Sequence, residues 1–223
     1  RGRQGGSGVV GTSLDYPTDR FIPFMLPGLL RMLFGMKVEG TEHVPPEGPV
    51  VVASNHMSNV DPIFVGAACP RQIHWMAKSE LWKSRLLGRL VERLGAFPVR
   101  RGEADRESVR AGLNILDSGA VLGIFPEGHR QRSGRLGQPA PGVGLFSSRP
   151  GVVTIPVVIT GTNRLSGPQR RLFPRVTVKF GPPVSTDVAG VTKSERNRVI
   201  SRRIMLALAS LLGQEWQPLE SGR

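Results

Sequence analysis

The apolar positions of this chain fall into short runs that are separated by amphipathic stretches. Three apolar runs have the length and composition of buried strands, at residues 49–54, 121–125 and 152–159. Residues 72–77 are predicted to form a further strand. Residues 175–180 alternate polar and apolar positions, which is typical of a strand with one solvated face. The pattern therefore predicts a sheet whose central strands are fully covered.

Between these runs, apolar residues recur at helical spacing. Longer helices are predicted over residues 81–94, 103–117 and 194–212. A shorter helix is predicted to open at Asp61-Pro62, with Asp61 as its N-cap and Pro62 at the first helical position. Strands that alternate with helices indicate the α/β class, so we expect a mostly parallel mixed sheet flanked by helices.

An N-terminal apolar segment precedes the first strand. Residues 21–36 are shorter than the roughly 20 residues that cross a bilayer, and Arg31 and two prolines interrupt them. We interpret the segment as a membrane-interface helix with Arg20, Arg31 and Lys37 toward the lipid headgroups. The alternative is an ordinary helix that packs against the core.

The composition suggests four consecutive segments. Residues 1–19 form a flexible N-terminal tail, residues 20–36 the interface helix, residues 37–213 one α/β domain, and residues 214–223 a C-terminal tail. The opening residues contain no apolar stretch of the kind that a signal peptide has, and no span is long and apolar enough to be a clear transmembrane helix.

The excess of basic residues limits the kinds of partner that we expect. Lys and Arg number 30 against 17 Asp and Glu, a net charge of +13, which favours nucleic acid, an anionic membrane surface or phosphorylated substrates. Aromatic residues make up only 6% and do not interleave with the basic residues, which argues against a nucleic-acid stacking platform. Cys69 is the only cysteine, so an intramolecular disulfide and a thiolate zinc cluster are excluded and a reducing compartment fits best.

The first candidate for chemistry is His56, which follows the predicted strand at 49–54. Residues just beyond the carboxyl end of a strand line the usual ligand crevice of an open α/β sheet. A turn can return the Asp61 carboxylate to one imidazole nitrogen, which would fix the tautomer and raise the basicity of the other nitrogen. The alternative is that Asp61 only caps its helix while His56 packs.

Motifs that supply a protein nucleophile, a phosphate-binding P-loop or a zinc protease site are absent from the sequence. A His-Asp pair without a nucleophile suits a reaction in which the hydroxyl of the substrate attacks and His56 acts as general base. This chemistry needs no metal.

A second cluster follows the predicted strand at 121–125 and should face the same crevice. Glu127 and Gly128 are expected to form a tight turn, and the guanidinium groups of Arg130 and Arg132 suit a phosphate. The alternative is a polar surface loop with solvated arginines.

Together these residues resemble a known family. Asn55-His56-x-x-x-x-Asp61, followed by Phe125-Pro126-Glu127-Gly128-x-Arg130, is similar to the glycerolipid acyltransferases, typified by 1-acylglycerol-3-phosphate acyltransferase. Residues 78–100 and 155–159 are similar to the two other blocks of that family, and the resemblance extends over about residues 37–162. Residues 37–213 would then be the acyltransferase domain.

The resemblance implies a role for each matching residue. His56 would deprotonate the acceptor hydroxyl, and Asp61 would orient it. Arg100 and Arg130 would hold the acceptor phosphate.

The turn would shape the acceptor pocket through Glu127 and Gly128, with Glu127 next to a glycerol hydroxyl. Asn55, His129 and Arg132 are further candidates.

The implied activity moves a fatty acyl group from acyl-CoA or acyl carrier protein to 1-acylglycerol-3-phosphate, which gives phosphatidic acid. The acyl thioester is a substrate, and no other cofactor is implied. The expected partners are a membrane lipid surface, the lysophospholipid and acyl carrier protein, without nucleic acid. The expected location is the cytoplasmic face of a membrane, as a peripheral or monotopic protein.

Two departures from the family pattern leave the acceptor open. His129 replaces a small hydroxyl residue, and residues 139–142 lack a lysine that family members often carry there. The same chemistry on another lyso-lipid is therefore one alternative, and a basic lipid- or nucleic-acid-binding protein without catalysis is another.

Overall fold

A seven-stranded sheet forms the centre of the protein. The computed structural model describes residues 21–78, 83–84, 89, 92, 95–99, 106–131, 133–140, 143–165 and 170–218. In chain order the strands are β1 (Lys37–Glu39), β2 (Val50–Ser54), β3 (Ile73–Lys78), β4 (Ala96–Val99), β5 (Val121–Ile124), β6 (Val153–Thr160) and β7 (Thr177–Phe180).

The strands lie side by side in the order β1-β7-β6-β2-β5-β3-β4. Every neighbouring pair is parallel except β6 and β7, which are antiparallel. The predicted α/β fold with a mostly parallel mixed sheet is therefore confirmed.

Helices cover both faces of the sheet. They are α1 (Phe21–Phe34), α2 (Asp61–Ala68), α3 (Arg106–Asp117), α4 (Val143–Ser147) and α5 (Lys193–Leu212), with 3₁₀ turns at Thr41–His43 and Thr162–Leu165. One core cluster joins the sheet to α1 and α2, and a second joins it to α3, α4 and α5. Because both faces are covered, the central strand β2 is buried at every position, as its continuous apolar run predicts.

The elements that the apolar pattern missed are short. β1 and α4 have only three and five residues, which is too short for a periodicity to develop. β4 is as long as β5 and β7, but its apolar run contains a proline, which argues against a strand. β1 and β4 are the two edge strands, and β4 contains Pro98, which a sheet tolerates at an edge. The predicted helix over residues 81–94 falls mostly outside the described residues, as do Arg20 and the predicted tail at 1–19.

The N-terminal helix α1 has two apolar faces. Leu30 lies in the core, and the ring of Phe34 packs edge to face on Phe64 of α2 at 5.1 Å. On the outer face, Met25 is 67% exposed and Met32 is 74% exposed. The alternative of a core-packing helix is thus correct for the inner face, whereas the membrane role of the outer face remains a prediction. Within the described ranges, no helix combines the length and the apolar character needed to cross a bilayer.

The chain continues to pack after the last helix. Gln214 bonds with Gly134 and Leu136, and the indole N–H of Trp216 donates to the carbonyl of Gly137 at 2.8 Å. Residues 214–217, which the composition suggests as the beginning of a tail, therefore contact residues 134–138. They support the loop that runs beside the second motif.

Candidate active site

The candidate site lies at the carboxyl edge of the three neighbouring strands β6, β2 and β5. The loop after β2 carries His56 and Asp61, the loop after β5 carries Glu127, and the 3₁₀ turn after β6 begins at Thr162. The backbone N–H of His56 donates to Glu127 Oε2 at 3.0 Å. The first two loops are therefore in direct contact at this edge.

The Asp61 carboxylate returns to the imidazole as the spacing predicts. Its Oδ2 lies 2.9 Å from Nδ1 of His56 and also accepts the backbone N–H groups of Met57 and Ser58, at 2.6 and 2.7 Å. The Asp61 side chain is fully buried, and that of His56 is 16% exposed. Nε2 is thus the ring nitrogen of His56 that does not contact Asp61.

The predicted N-cap is wrong by one residue. Val60 is the N-cap of α2 and makes no side-chain cap bond, so Asp61 is the first helical residue and Pro62 the second. The carboxylate turns away from the helix toward the loop at 56–58. Its function is therefore to organise that loop and the imidazole.

A threonine outside both sequence motifs completes this arrangement. The hydroxyl of Thr162 donates to Asp61 Oδ1 at 2.6 Å, and both side chains are fully buried. Four donors thus surround the carboxylate, which offsets the cost of burying its charge. The only sequence signal for Thr162 is its position two residues after the end of β6.

Asn55 links the loop after β2 to the neighbouring strand β6. Its amide nitrogen donates to the carbonyl of Ile159 at 3.0 Å, and its amide oxygen accepts the N–H of Ile159 at 2.8 Å. The side chain is 3% exposed. Both the nitrogen and the oxygen of the amide thus bond to β6, and they join the end of β2 to that strand. These contacts give Asn55 a structural role.

A stack of three aromatic rings supports the imidazole. The ring of Phe125 lies parallel to that of His56, with centroids 3.9 Å apart, and Trp75 stacks on Phe125 at 4.8 Å. Gly123 makes room for this stack, because a Cβ at that position would lie 2.5 Å from the indole of Trp75. Phe125 belongs to the sequence motif, but its contact with His56 becomes visible only in the structure.

Glu127 fastens two loops together. It is 2% exposed, its Oε2 accepts the N–H of His56, and its Oε1 accepts the N–H of Gly137 at 2.7 Å. Burial raises the pKa of Glu127, while the two N–H donors, His56 and His129 act in the opposite direction. The geometry therefore gives Glu127 a positioning contact with the backbone of His56.

The predicted tight turn is confirmed. The N–H of Gly128 donates to the carbonyl of Phe125 at 2.9 Å, and Gly128 has a φ of +67°, which favours glycine. A Cβ on Gly128 would also lie 3.0 Å from Ala140. The stretch where the family often has a lysine therefore lies against this turn.

The remaining candidates lie on or near the same loop. Arg130 is partly exposed, and its neighbour Gln131 donates a backbone N–H to the carbonyl of His56 at 2.7 Å. His129 is exposed, and its Nε2 accepts from the side-chain amide of Gln131 at 2.9 Å. Arg100 and Arg132 fall outside the described residues. Within the described part of the chain, no cluster of three metal-ligating side chains is present.

Glu127→Gln is expected to lower the free energy of unfolding by about 1–3 kcal/mol, because the amide nitrogen must face one of the two backbone N–H groups. The pKa of Glu127 is higher in the folded protein than in the unfolded chain, so protonation of Glu127 stabilises the fold. This stabilisation is complete below the ordinary carboxyl pKa of about 4.3 and is lost as the pH rises through the raised pKa. Urea unfolding should therefore show a larger difference between wild type and variant in weak acid than at neutral pH.

The exposed Glu215 provides the matched control. Glu215→Gln should leave the free energy of unfolding unchanged at both pH values. A stability difference between wild type and Glu127→Gln that increases as the pH rises would contradict a raised pKa of Glu127.

Comparison with known proteins now places the chain in a family. Residues 35–160 match the family model described as Acyltransferase, which is more than half of the chain. The chain therefore belongs to the acyltransferase family. The matched range contains both loops of the candidate site.

Individual relatives carry more specific names. A 1-acyl-sn-glycerol-3-phosphate acyltransferase of Bacillus subtilis is 35% identical over 112 residues, which cover 50% of this chain and 56% of that protein. The protein of the same name from Streptococcus pneumoniae is 28% identical over 183 residues, which cover 78% of this chain and 66% of that protein. The chain thus spans between half and two thirds of the length of these two relatives.

A solved structure shows the same fold. The crystal structure of the 1-acyl-sn-glycerophosphate acyltransferase of Thermotoga maritima superposes with a TM-score of 0.68 at 21% identity, over 89% of this chain and 83% of that one.

Proposed function

We propose that this chain transfers a fatty acyl group from an acyl thioester to the free hydroxyl of 1-acylglycerol-3-phosphate, which gives phosphatidic acid. The observation that carries the proposal is the 2.9 Å contact between His56 Nδ1 and the buried Asp61 carboxylate, at the sheet edge and beside the Glu127 turn. The names of the similar proteins favour this acceptor.

The reaction begins with proton transfer to His56. Asp61 holds the proton on Nδ1, so the lone pair on Nε2 accepts the proton of the acceptor hydroxyl while the oxygen attacks the thioester carbonyl carbon. The tetrahedral intermediate collapses with cleavage of the C–S bond. The departing sulfur takes the proton from Nε2, which returns the imidazole to its neutral form.

Asp61 and its donors prepare the imidazole before substrate binds. A buried carboxylate at Nδ1 fixes the tautomer and stabilises the cation that forms when Nε2 is protonated. The Phe125 ring restricts the imidazole on one face, and the Glu127 carboxylate holds its backbone. The base is thus preorganised from three directions.

Arg130 is proposed to bind the acceptor phosphate. Its guanidinium begins on the loop whose next residue, Gln131, bonds directly to the carbonyl of His56. A guanidinium fork matches the oxygens of a phosphate. Arg100 and Arg132 are proposed for the same task on the basis of the sequence alone.

The proposed setting is a membrane surface. Both acyl-CoA and acyl carrier protein are proposed as donors, and the outer apolar face of α1 is proposed to lie in the interface on the cytoplasmic side. The net charge of +13 would attract the anionic lipid, acceptor and donor.

Product analysis tests the proposed function directly. The purified chain is incubated with a panel of lyso-lipid acceptors and with both types of thioester, and the lipid products are separated. Phosphatidic acid from lysophosphatidate is expected. Acylation of another lyso-lipid in its place would favour the second acceptor class, and the absence of product with every combination would favour a binding protein.

Arg130→Ala is expected to raise the KM for lysophosphatidate by about 10–100-fold, because one charged hydrogen-bonding partner of the phosphate is lost. Arg130→Lys should recover part of the affinity, since it restores the charge without the fork. Steady-state kinetics with varied acceptor measure both values. Arg135, which is exposed on the same loop, is the control, and an Arg130→Ala profile equal to that of Arg135→Ala would remove Arg130 from the phosphate site.

A further inference from the structure

Exposed apolar side chains are concentrated on one part of the protein. Among the described residues, seven large hydrophobic side chains are exposed, and only Leu206 of α5 lies apart from the others. The other six belong to α1 and to residues 170–175. We call these six side chains the apolar patch: Met25, Leu29, Met32, Leu33, Leu172 and Phe173.

Residues 170–175 adjoin the end of α1. The ring of Phe173 lies 5.5 Å from that of Phe34, and the N–H of Val176 donates to the carbonyl of Phe34 at 3.2 Å. The apolar side chains of this segment are nevertheless uncovered, with Leu172 68% exposed and Phe173 52% exposed. The two parts of the apolar patch are thus neighbours although they are far apart in sequence.

The segment lies at the same sheet edge as the candidate site. β7 is antiparallel to β6, so Thr177 at its start pairs with Thr160 at the end of β6. The N–H of Arg171 also donates to the carbonyl of Arg164, at 2.8 Å, in the turn that begins with Thr162. A partner that binds residues 170–175 would therefore lie close to the carboxyl end of β6, next to His56 and Asp61.

The charge around the apolar patch identifies its partner. Arg170, Arg171 and Arg175 are all exposed, and none forms an ion pair with a carboxylate of the described residues. Arg31 in the last turn of α1 and Lys37 at the start of β1 are also exposed. Apolar side chains beside unpaired arginines match a lipid bilayer with anionic headgroups, whose interface takes up both.

We infer that residues 170–175 are a second membrane-binding segment, which inserts Leu172 and Phe173 into an anionic bilayer while its arginines bind headgroup phosphates. The inference rests on the proposed function, because it assumes the membrane surface at which α1 is proposed to lie. The inference adds the orientation of the protein on the membrane. The bilayer is contacted by both α1 and residues 170–175, and the second contact turns the carboxyl ends of the central strands toward the lipid.

Vesicle sedimentation of the full chain tests the segment. The probes are phosphatidylcholine vesicles with and without phosphatidylglycerol. Leu172→Ser with Phe173→Ser should lower the partition coefficient at least tenfold on anionic vesicles. Serine at Arg170, Arg171 and Arg175 together should lower the preference for anionic over neutral vesicles several-fold, more than the same loss of charge elsewhere on the protein.

The controls are matched in chemistry and exposure on α5. Leu206→Ser replaces a side chain that is 44% exposed, and serine at Lys193, Arg198 and Arg202 removes the same charge from an exposed surface. Both controls should bind as wild type does. Unchanged binding of the Leu172/Phe173 variant, or equal losses in the two triple variants, would overturn the inference.

Two further measurements distinguish lipid binding from self-association and from loss of the catalytic site. Light scattering reports whether the Leu172/Phe173 variant changes oligomeric state, and a change would instead assign the apolar patch to a second copy of the chain. Acyl transfer to a water-soluble short-chain acceptor without vesicles should be equal in variant and wild type. If wild type itself lacks that activity the proposed function fails, whereas the binding result still decides whether the segment contacts lipid.

Discussion

His56→Ala is expected to lower kcat for acyl transfer by about 10²–10⁴-fold, the usual contribution of a positioned general base. The loss should fall on kcat, because a general base acts on a proton that moves in the transition state. The fold should persist, since Asp61 retains three of its four donors: Met57 N–H, Ser58 N–H and the Thr162 hydroxyl. Steady-state kinetics with lysophosphatidate and an acyl thioester, together with thermal unfolding, check both parts.

His129 is the matched control for this experiment. It lies on the neighbouring loop, but it is exposed and its ring bonds with the side-chain amide of Gln131 instead of a buried carboxylate. His129→Ala should keep kcat within a few-fold of wild type. A folded His56→Ala protein that turns over at the same rate as His129→Ala would remove the general base from the mechanism.

Asp61→Asn is the second large effect, with an expected loss of kcat of about 10²–10⁴-fold. The amide oxygen can replace Oδ2 and accept from His56 and the two backbone N–H groups, while the amide nitrogen faces the Thr162 hydroxyl oxygen. The variant therefore removes the negative charge and keeps the contacts. The expected loss reflects the missing stabilisation of the protonated imidazole.

Variants of Thr162 test whether the position of the Asp61 carboxylate matters as well as its charge. Thr162→Val keeps the shape and removes the donor to Oδ1, so kcat should fall by about tenfold, in line with one hydrogen bond to a charged group. The acceptor KM should stay constant, and Thr162→Ser should restore the rate. A fall in stability without a fall in kcat, or a serine variant no better than valine, would reduce Thr162 to a packing residue.

The fold class and the pairing of His56 with Asp61 could be predicted because their causes are local. A continuous apolar run favours a strand that is covered on both faces, and β2 is buried at every position. Five residues of turn are enough to return a carboxylate to an imidazole. The Phe125–Gly128 turn follows in the same way from a glycine at positive φ.

The contacts that complete the site have no such local cause. Thr162 reaches Asp61 across 101 residues, Asn55 reaches Ile159 across 104, and Glu127 reaches the backbone of His56 across 71. Each contact depends on β6, β2 and β5 being neighbours, and the order of strands in a sheet leaves no periodic signal in the chain.

Apolar spacing and side-chain chemistry belong to each segment, so the α/β class, the strand runs, the basic charge and the two motif loops could be predicted from the chain alone. The bond from Thr162 to Asp61, the stack of Phe125 and Trp75 on His56, and the exposure of Leu172 and Phe173 beside α1 became known from the folded protein. These contacts join segments that are distant in sequence, and long-range packing selects which of those segments meet where the strands end.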